Sequence, residues 1–332
     1  MALAAYREPE LTLTIRSCLE QAAFPDRLRF GVCLQYDDDI AGAEFGCLDE
    51  LAEQTTIRSI RRPWFASRGG CHARWLTQGL YDGERYTLQC DAHSRLASRW
   101  DALLARTMHE LPSDKPLITG SPPLYRRVGG EDAFLEPIDL PVPITVVRRW
   151  ASDGWVHHPT IPAPTGAPLV ARPTRVLSGG FVFTLGAWNV DVRQDPEHLY
   201  TGEEFALTLR SFTSGYDLWN PPRRVIWHRS HPQVNPKYIH DDPDGRSQRR
   251  HEQATKRLRT LLRGDPGRVL EPFSLGTERS LDDYSAWSGL DCARYEIHPD
   301  ALAGAPPEPA QPPSIEARSH NIDSDHAQST GR

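Results

Sequence analysis

The sequence predicts an α/β domain built on a doubly wound, mostly parallel sheet. In the first half, short apolar segments alternate with segments whose apolar residues recur at helical spacing, which is the order that produces such a sheet. Residues 28–35 are apolar almost without interruption, as expected for a parallel strand covered on both faces. Residues 86–90 form another apolar run, which is followed by Asp91 and His93. Because ligands bind beyond the carboxyl ends of the strands in this fold class, this position is a candidate site.

Each element of the first half follows from its own pattern. Residues 3–6 are a short strand, and Leu11, Ile15 and Cys18 recur on one face of the helix after it. The predicted elements in chain order are strand 3–6, helix 11–22, strand 28–35, helix 67–80, strand 86–90, helix 96–108 and strand 116–119.

The second half is less regular. Residues 122–173 are rich in proline and aromatic residues, and we expect long loops with short strands, one at 144–150, where substrate contacts usually lie. Beyond them the patterns predict strand 179–184, helix 200–212, strand 224–228 and helix 246–262. Residues 301–332 have little to bury, so we expect one domain over residues 1–300 and a disordered, Pro-rich tail.

Composition excludes several classes of protein. The 332 residues carry a formal net charge of −6, so no overall field favours nucleic acid or an anionic membrane as a partner. No apolar run reaches membrane-spanning length, and the first residues lack the features of a signal peptide. The six cysteines are scattered, and we expect them to be reduced. These features predict a cytoplasmic protein.

Asp91 and His93 are candidate metal ligands. Residues two apart in an extended chain project to the same side, so both side chains can reach one ion just beyond the strand. A carboxylate oxygen with an imidazole nitrogen suits Mn²⁺, Fe²⁺ or Zn²⁺ better than Ca²⁺ or Mg²⁺. The alternative interpretation is a polar connection in which Asp91 or Ser94 caps the following helix.

Four features then occur in a fixed order along the chain. They are D-x-H after a strand, S-G-G-F-x-F, G-E-E at the start of a helix, and a strand that ends in histidine. This order resembles the polypeptide N-acetylgalactosaminyltransferases. More closely, it resembles the cytoplasmic hydroxyproline-type polypeptide N-acetylglucosaminyltransferases, glycosyltransferase family sixty. The stretches that carry the resemblance are residues 4–11, 68–75, 88–101, 202–210, 215–217 and 275–284.

Two departures from the family pattern stand out. The family more often has D-S-H where this chain has Asp91-Ala92-His93, and Ala92 points away from the candidate metal. The loops at 122–173 match poorly, and in such enzymes they shape the acceptor site.

The resemblance implies a GT-A type fold with long acceptor-side loops, and transfer of a sugar from a UDP-sugar with retention at the anomeric carbon. It implies that Asp91 and His93 bind Mn²⁺ or another divalent metal, with His228 at the end of a distant strand as the third ligand. His231 is the alternative third ligand, and His228 can also be a histidine without a metal role. N-acetylglucosamine as the donor sugar is inherited from the resemblance, since the residues do not distinguish it from N-acetylgalactosamine or glucose. The acceptor is a hydroxyl of a protein (Thr or hydroxyproline) or of a small metabolite.

Glu203 and Glu204 are the candidate catalytic carboxylates. Both lie in the first turn of a predicted helix, where the helix dipole alone stabilises negative charge. The resemblance implies that one of them binds sugar hydroxyls beside the anomeric carbon. We assign the pair to positioning and charge stabilisation rather than to covalent catalysis.

Four further residues are candidates for binding the nucleotide. Arg74 can reach the diphosphate with its two-pronged guanidinium, or it has a surface or helix-dipole role. Tyr6 and Arg7 end the first strand, where GT-A enzymes hold the base, and Asp37 is a candidate partner of the uracil imide. Asp37 also begins an acidic run that can be only a solvated loop.

Two other classes of function compete with a glycosyltransferase. A carboxylate with two histidines is also the iron-binding set of non-haem oxygenases, although those usually read H-x-D…H on an all-β fold. A non-catalytic nucleotide-sugar-binding protein on the same fold is the second alternative. Release of UDP on mixing with Mn²⁺ and a UDP-sugar separates the three.

Overall fold

The computed structural model describes residues 1–37, 41–134, 137, 139–199, 202–229, 245–263 and 270–310, with only the backbone at 41–44. The strands of this part of the chain are β1 (Ala2–Tyr6), β2 (Arg29–Tyr36), β3 (Thr56–Pro63), β4 (Tyr86–Asp91), β5 (Ser94–Leu96), β6 (Pro116–Thr119), β7 (Tyr125–Val128), β8 (Glu131–Phe134), β9 (Ile144–Thr145), β10 (Arg149–Trp150), β11 (Val156–His157), β12 (Thr160–Ile161), β13 (Arg172–Pro173), β14 (Phe181–Leu185), β15 (Asp217–Asn220), β16 (Ile226–His228), β17 (Leu290–Asp291) and β18 (Glu296–Ile297). The α-helices are α1 (Leu11–Gln21), α2 (Ala41–Ala52), α3 (Gly70–Gln78), α4 (Trp100–Glu110), α5 (Trp188–Asp191), α6 (Glu203–Thr213), α7 (Arg246–Arg263), α8 (Leu281–Ser288) and α9 (Pro299–Ala303). Short 3₁₀ turns lie at Pro25–Arg27 and Trp64–Ala66.

The central sheet has eight strands in the order β13-β15-β6-β14-β4-β1-β2-β3. Strands β3, β2, β1 and β4 are parallel to one another, and β15 is parallel to β6. Strand β14 is antiparallel to both of its neighbours, β4 and β6, and β13 is antiparallel to β15. Six of these eight strands therefore run in one direction, which confirms the predicted mostly parallel sheet.

Helices cover both faces of this sheet. Along β14, Phe181 and Phe183 pack in one hydrophobic cluster, whereas Val182 packs in another. Because alternate residues of a strand point to opposite faces, the two clusters lie on opposite sides of the sheet. The first cluster includes residues of α1 and α4, among them Ile15. The second cluster includes residues of α6, α7 and α8, among them Phe205. The sheet is therefore doubly wound.

One segment differs from its predicted conformation. The apolar spacing at 96–108 predicted a helix, but Ser94–Leu96 is strand β5, which pairs antiparallel with β16, and helix α4 begins at Trp100. Arg99 occupies the N-cap of α4 and makes no side-chain cap hydrogen bond. The alternative in which Asp91 or Ser94 caps this helix is therefore wrong.

The sequence patterns did not predict strands β3 and β15 or helices α2 and α8. Strand β3 lies at the edge of the sheet and is mostly exposed or half-buried, so its sequence, TIRSIRRP, lacks the apolar run of an inner parallel strand. Residues 125–161 form short antiparallel strand pairs outside the main sheet, β7 with β8, β9 with β12 and β10 with β11, whereas β13 joins the main sheet. The strand predicted at 144–150 is divided between β9 and β10, which pair with different partners.

The C-terminal part of the described chain continues past residue 300. Helix α9 ends at Ala303, and Ala301 is buried against the second cluster. The disordered tail stays a prediction, because residues 311–332 lie outside the described residues. Five of the six cysteines are buried, as expected for residues of the core. Among the described residues, no helix is long and apolar enough to cross a membrane.

Candidate active site

The metal candidates come together through two strands that are distant in sequence. Strand β4 ends at Asp91, and β5 begins at Ser94, so His93 lies in the turn between them. Strand β16 pairs antiparallel with β5 in a register that sets His228 opposite Ser94. The amide of Arg229 then donates to the carbonyl of His93 at 3.0 Å. This pairing, and not sequence proximity, brings His228 beside His93.

Asp91, His93 and His228 offer three ligand atoms that lie within 4.8 Å of one another. The Nε2 atoms of His93 and His228 are 2.8 Å apart, and His228 Nε2 is 3.1 Å from Asp91 Oδ2. Adjacent ligands of an octahedral ion at about 2.1 Å stand about 3.0 Å apart. One divalent ion therefore fits these three atoms. His231, the alternative ligand, lies outside the described residues.

The electrostatics around Asp91 keep it ionised. Burial opposes the charge, but the hydrogen bond from His228 and the guanidinium of Arg74 hold the pKa of Asp91 well below its usual range. An ionised carboxylate is the form that binds a metal ion.

Glu8 orients the candidate ligand His93, and sequence reasoning missed it. Its Oε2 lies 2.8 Å from His93 Nδ1, and its Oε1 accepts from the amide of Glu10 at 3.1 Å. A carboxylate on one ring nitrogen of a histidine fixes the tautomer and leaves the other nitrogen to bind a metal. Glu8 lies within the 4–11 stretch that carries the resemblance, which is the signal that could have indicated it.

Two glycines make room for the charged groups. A Cβ on Gly179 would lie 2.6 Å from Arg74 Nη1 and 2.9 Å from Glu203 Oε1, and one on Gly180 would lie 2.9 Å from Asp91 Oδ2. The S-G-G segment therefore lets Asp91, Arg74 and Glu203 pack against the start of β14.

Arg74 joins the metal candidates to α6. One of its terminal nitrogens is 3.0 Å from Asp91 Oδ1, and the other is 3.0 Å from Glu203 Oε1. The guanidinium is thus held within the site rather than on the surface. Its binding to a diphosphate stays a prediction.

Glu203 and Glu204 point to different surroundings. Glu203 is buried and also accepts from Gln194 at 3.3 Å, and burial raises its pKa to about 7 against the opposing charge of Arg74. Glu204 Oε1 accepts from the amide of Gly179 at 2.6 Å. The Glu203 side chain is 8% exposed and that of Glu204 is 31% exposed. Glu204 is therefore the more accessible carboxylate.

His158 is a second residue that the sequence did not indicate. It follows β11 in the segment 122–173, and its Nε2 is 3.1 Å from Glu204 Oε2. A lone histidine in a segment without clear periodicity gives no sequence signal, because only the fold brings it to α6.

The candidates for the nucleotide base form a neighbouring group at the same edge of the sheet. Arg7 holds Asp37 with Nε and a terminal nitrogen, both at 2.8 Å, and lies over the ring of Trp64 at 5.1 Å. Its φ of 47° is unusual for a residue other than glycine. Tyr6 is the last residue of β1. A role of Tyr6, Arg7 and Asp37 in base binding stays a prediction, and Asp38 and Asp39 lie outside the described residues.

The sequence profile of one family, described as glycosyltransferase (GlcNAc), matches residues 37–294. The chain belongs to this family. No curated protein matches the sequence.

Likeness to a solved structure, that of GalNAc-T7, confirms the GT-A type fold. The crystal structure of GalNAc-T7 with UDP, GalNAc and Mn²⁺ matches with a TM-score of 0.57 and 13% identity, covering 98% of this chain and 53% of that one. The structure of S. aureus TarS 1-349 in complex with UDP-GlcNAc has a TM-score of 0.45 and 14% identity, covering 72% of this chain and 59% of that one. The chain thus spans little more than half the length of these two crystallised chains.

Proposed function

We propose that this protein is a metal-dependent, retaining glycosyltransferase that moves N-acetylglucosamine, or a related hexose, from a UDP-sugar to a hydroxyl. The observation that carries the proposal is the cluster of Asp91, His93 and His228 at the carboxyl end of β4. His228 Nε2 lies at the spacing of adjacent ligands on one ion from both His93 and Asp91, and all three ligand atoms lie within 4.8 Å of one another.

The donor set suits Mn²⁺ or a similar divalent ion, with two imidazoles and one carboxylate. When bound, such an ion supplies positive charge that stabilises a departing diphosphate. The residues of the chain prepare this site. Glu8 fixes the ring of His93, and the guanidinium of Arg74 adds positive charge next to Asp91.

Both glutamates position groups rather than attack the sugar. Glu203 holds Arg74, whereas Glu204 is more exposed and is our choice for contact with the hydroxyls of the donor sugar. Each carboxylate already accepts a hydrogen bond at both oxygens. Both carboxylates thus already hold protein groups in place, which suits a positioning role; retention with the leaving phosphate as the proton acceptor rests on the sequence resemblance.

The remaining parts of the proposal rest on the family and on the sequence resemblance. The family description supports N-acetylglucosamine as the donor sugar. Tyr6, Arg7, Asp37 and Arg74 are our candidates for holding the nucleotide. A polypeptide acceptor (Thr or hydroxyproline), a cytoplasmic location and membership of the hydroxyproline-type enzymes rest on the sequence resemblance alone, and a small metabolite is the alternative acceptor.

Both alternative functions are less well supported. An oxygenase is disfavoured because the chain has the glycosyltransferase fold and family profile. A non-catalytic binding protein is disfavoured because the three metal candidates and both glutamates lie together at one end of the sheet.

The test is UDP release from UDP-N-acetylglucosamine in the presence of Mn²⁺. We expect Asp91→Ala and His228→Ala to lower the rate at least about 100-fold, because loss of one ligand weakens metal binding and misplaces the phosphates. His109→Ala is the matched control. It removes a histidine whose Nε2 lies 3.2 Å from the hydroxyl of Tyr86, at the opposite end of β4.

Each proposed property has an outcome that contradicts it. Full activity in EDTA would show that the reaction does not depend on a metal ion. A β-linked product in proton NMR would replace retention by inversion. Binding of the donor without release of UDP would support the non-catalytic alternative, and oxygen consumption with Fe²⁺ would support the oxygenase.

A further inference from the structure

The imidazole of His158 has hydrogen-bond acceptors at both ring nitrogens. Its Nδ1 lies 2.7 Å from the carbonyl oxygen of Val156, and its Nε2 lies 3.1 Å from Glu204 Oε2. A carbonyl oxygen can only accept, so Nδ1 carries a hydrogen. The charge of the ring then depends on whether Nε2 donates to Glu204.

The surroundings of Glu204 favour its ionised form. Burial opposes this, but the hydrogen bond with His158 and the amide of Gly179 lower the pKa of Glu204. An ionised carboxylate can only accept hydrogen bonds. With a carbonyl oxygen at Nδ1 and a carboxylate oxygen at Nε2, the ring donates from both nitrogens and is an imidazolium when Glu204 is ionised.

Among the described residues, the charged groups that act most strongly on His158 are Glu204 and Glu203 of α6. Burial lowers the pKa of His158, but the hydrogen bond and charge of Glu204, and then the charge of Glu203, outweigh burial and raise it. Arg74 lies beyond Glu203 and pairs with that carboxylate. Two adjacent carboxylates thus have two separate cations, Arg74 for Glu203 and His158 for Glu204.

We infer that His158 is a positioning residue, which as an imidazolium turns the Glu204 carboxylate away from Arg74 and fixes it toward the donor sugar. This inference rests on the proposed function. Without the imidazolium, Glu204 would lie next to the like charge of Glu203, with Arg74 as the nearest cation for both. Because His158 belongs to the 122–173 loops and Glu204 to α6, the pair also connects the acceptor-side loops to the donor side of the site.

The test compares His158→Gln with His157→Gln. The glutamine in place of His158 keeps a neutral amide donor and loses the charge. His157 is the adjacent histidine, and its ring packs 5.9 Å from that of Trp155. We expect His158→Gln to lower kcat for UDP release about 10- to 100-fold, with KM for the UDP-sugar changed by less than about threefold, because misplacement of a contacting group affects the transition state most. His157→Gln should leave both constants unchanged.

The pH profile separates this role from a loop-anchoring role. In the wild type, activity should fall as the pH rises and the imidazolium of His158 becomes a neutral imidazole. This alkaline limb of the pH profile should be absent from His158→Gln. A variant with wild-type kcat, or with the same alkaline limb, would overturn the inference. His158→Lys serves as a second variant, which keeps the positive charge and should retain more activity than His158→Gln.

A second readout does not depend on the reaction. In nitrogen NMR of histidine-labelled protein at neutral pH, one residue should have both ring nitrogens protonated, and its signals should be absent from His158→Gln. A neutral His158 would overturn the inference even if the enzyme is active. If no UDP-sugar is turned over, the proposed function fails, while this spectrum still decides the charge of His158.

Discussion

Replacement of Glu8 is expected to weaken metal binding without removing a ligand. Glu8 is 5% exposed and its Oε2 lies 2.8 Å from Nδ1 of His93, so the interaction is shielded from water. A hydrogen bond to a charged group contributes about 1.5–3 kcal/mol. The amide oxygen in Glu8→Gln can still accept from Nδ1, so this variant loses the charge and about half of that energy, whereas Glu8→Ala loses all of it.

This energy predicts the size of the effect on metal affinity. We expect Mn²⁺ affinity to fall about tenfold in Glu8→Gln and about 100-fold in Glu8→Ala, within the range known for carboxylates that orient metal-binding histidines. Titration calorimetry with Mn²⁺ measures this directly. Excess Mn²⁺ should restore UDP release in Glu8→Gln but not in Asp91→Ala.

The matched control is Glu20→Gln, which removes an exposed carboxylate from the end region of α1. It should leave Mn²⁺ affinity unchanged. An unchanged affinity in Glu8→Ala, with the protein folded, would refute the conclusion that Glu8 orients His93 for a metal ion.

Two further predictions concern packing and pH. Gly180→Ala should reduce Mn²⁺ affinity at least about tenfold, because the added Cβ would lie 2.9 Å from Asp91 Oδ2. Gly70→Ala is the control and should bind Mn²⁺ like the wild type, because nothing lies within 4 Å of its Cβ. Equal affinities of the two variants in calorimetry would contradict this prediction. His198 is buried, and neither ring nitrogen has a hydrogen-bond partner among the described residues, although Asp195 Oδ2 lies 3.8 Å from Nε2; burial lowers the pKa of His198 from 6.5 to about 4. The unfolded chain therefore binds the proton of His198 more readily than the folded protein does. Because of this, the free energy of unfolding should fall by about 2 kcal/mol when the pH is lowered from about 7.5 to about 5. Thermal melts of His198→Gln should therefore show a weaker loss of Tm on acidification, and parallel losses in both proteins would exclude His198 as a cause.

The sequence by itself determined the elements whose signal is local. Strand β4, its terminal Asp91 and the nearby His93 follow from an apolar run and a spacing of two residues, and the glycines before β14 are visible in the same way. Inner parallel strands such as β2 are covered on both faces, so their composition alone indicates them. The edge strand β3 is not covered in this way, and its polar sequence gave no signal.

Only the tertiary structure decided which side chains meet at the site. His228 lies 135 positions from His93, and the pairing of β16 with β5 brings the two together. Glu8 and His158 entered the site in the same way, through contacts that span 85 and 46 positions. The adjacent Glu203 and Glu204 are equivalent in sequence, but Arg74 and His158 approach from different elements and give them different surroundings. Local patterns record how a segment is buried, whereas the partner of a charged side chain is set by the packing of distant segments, which is why the sequence indicated candidates and the fold assigned their contacts.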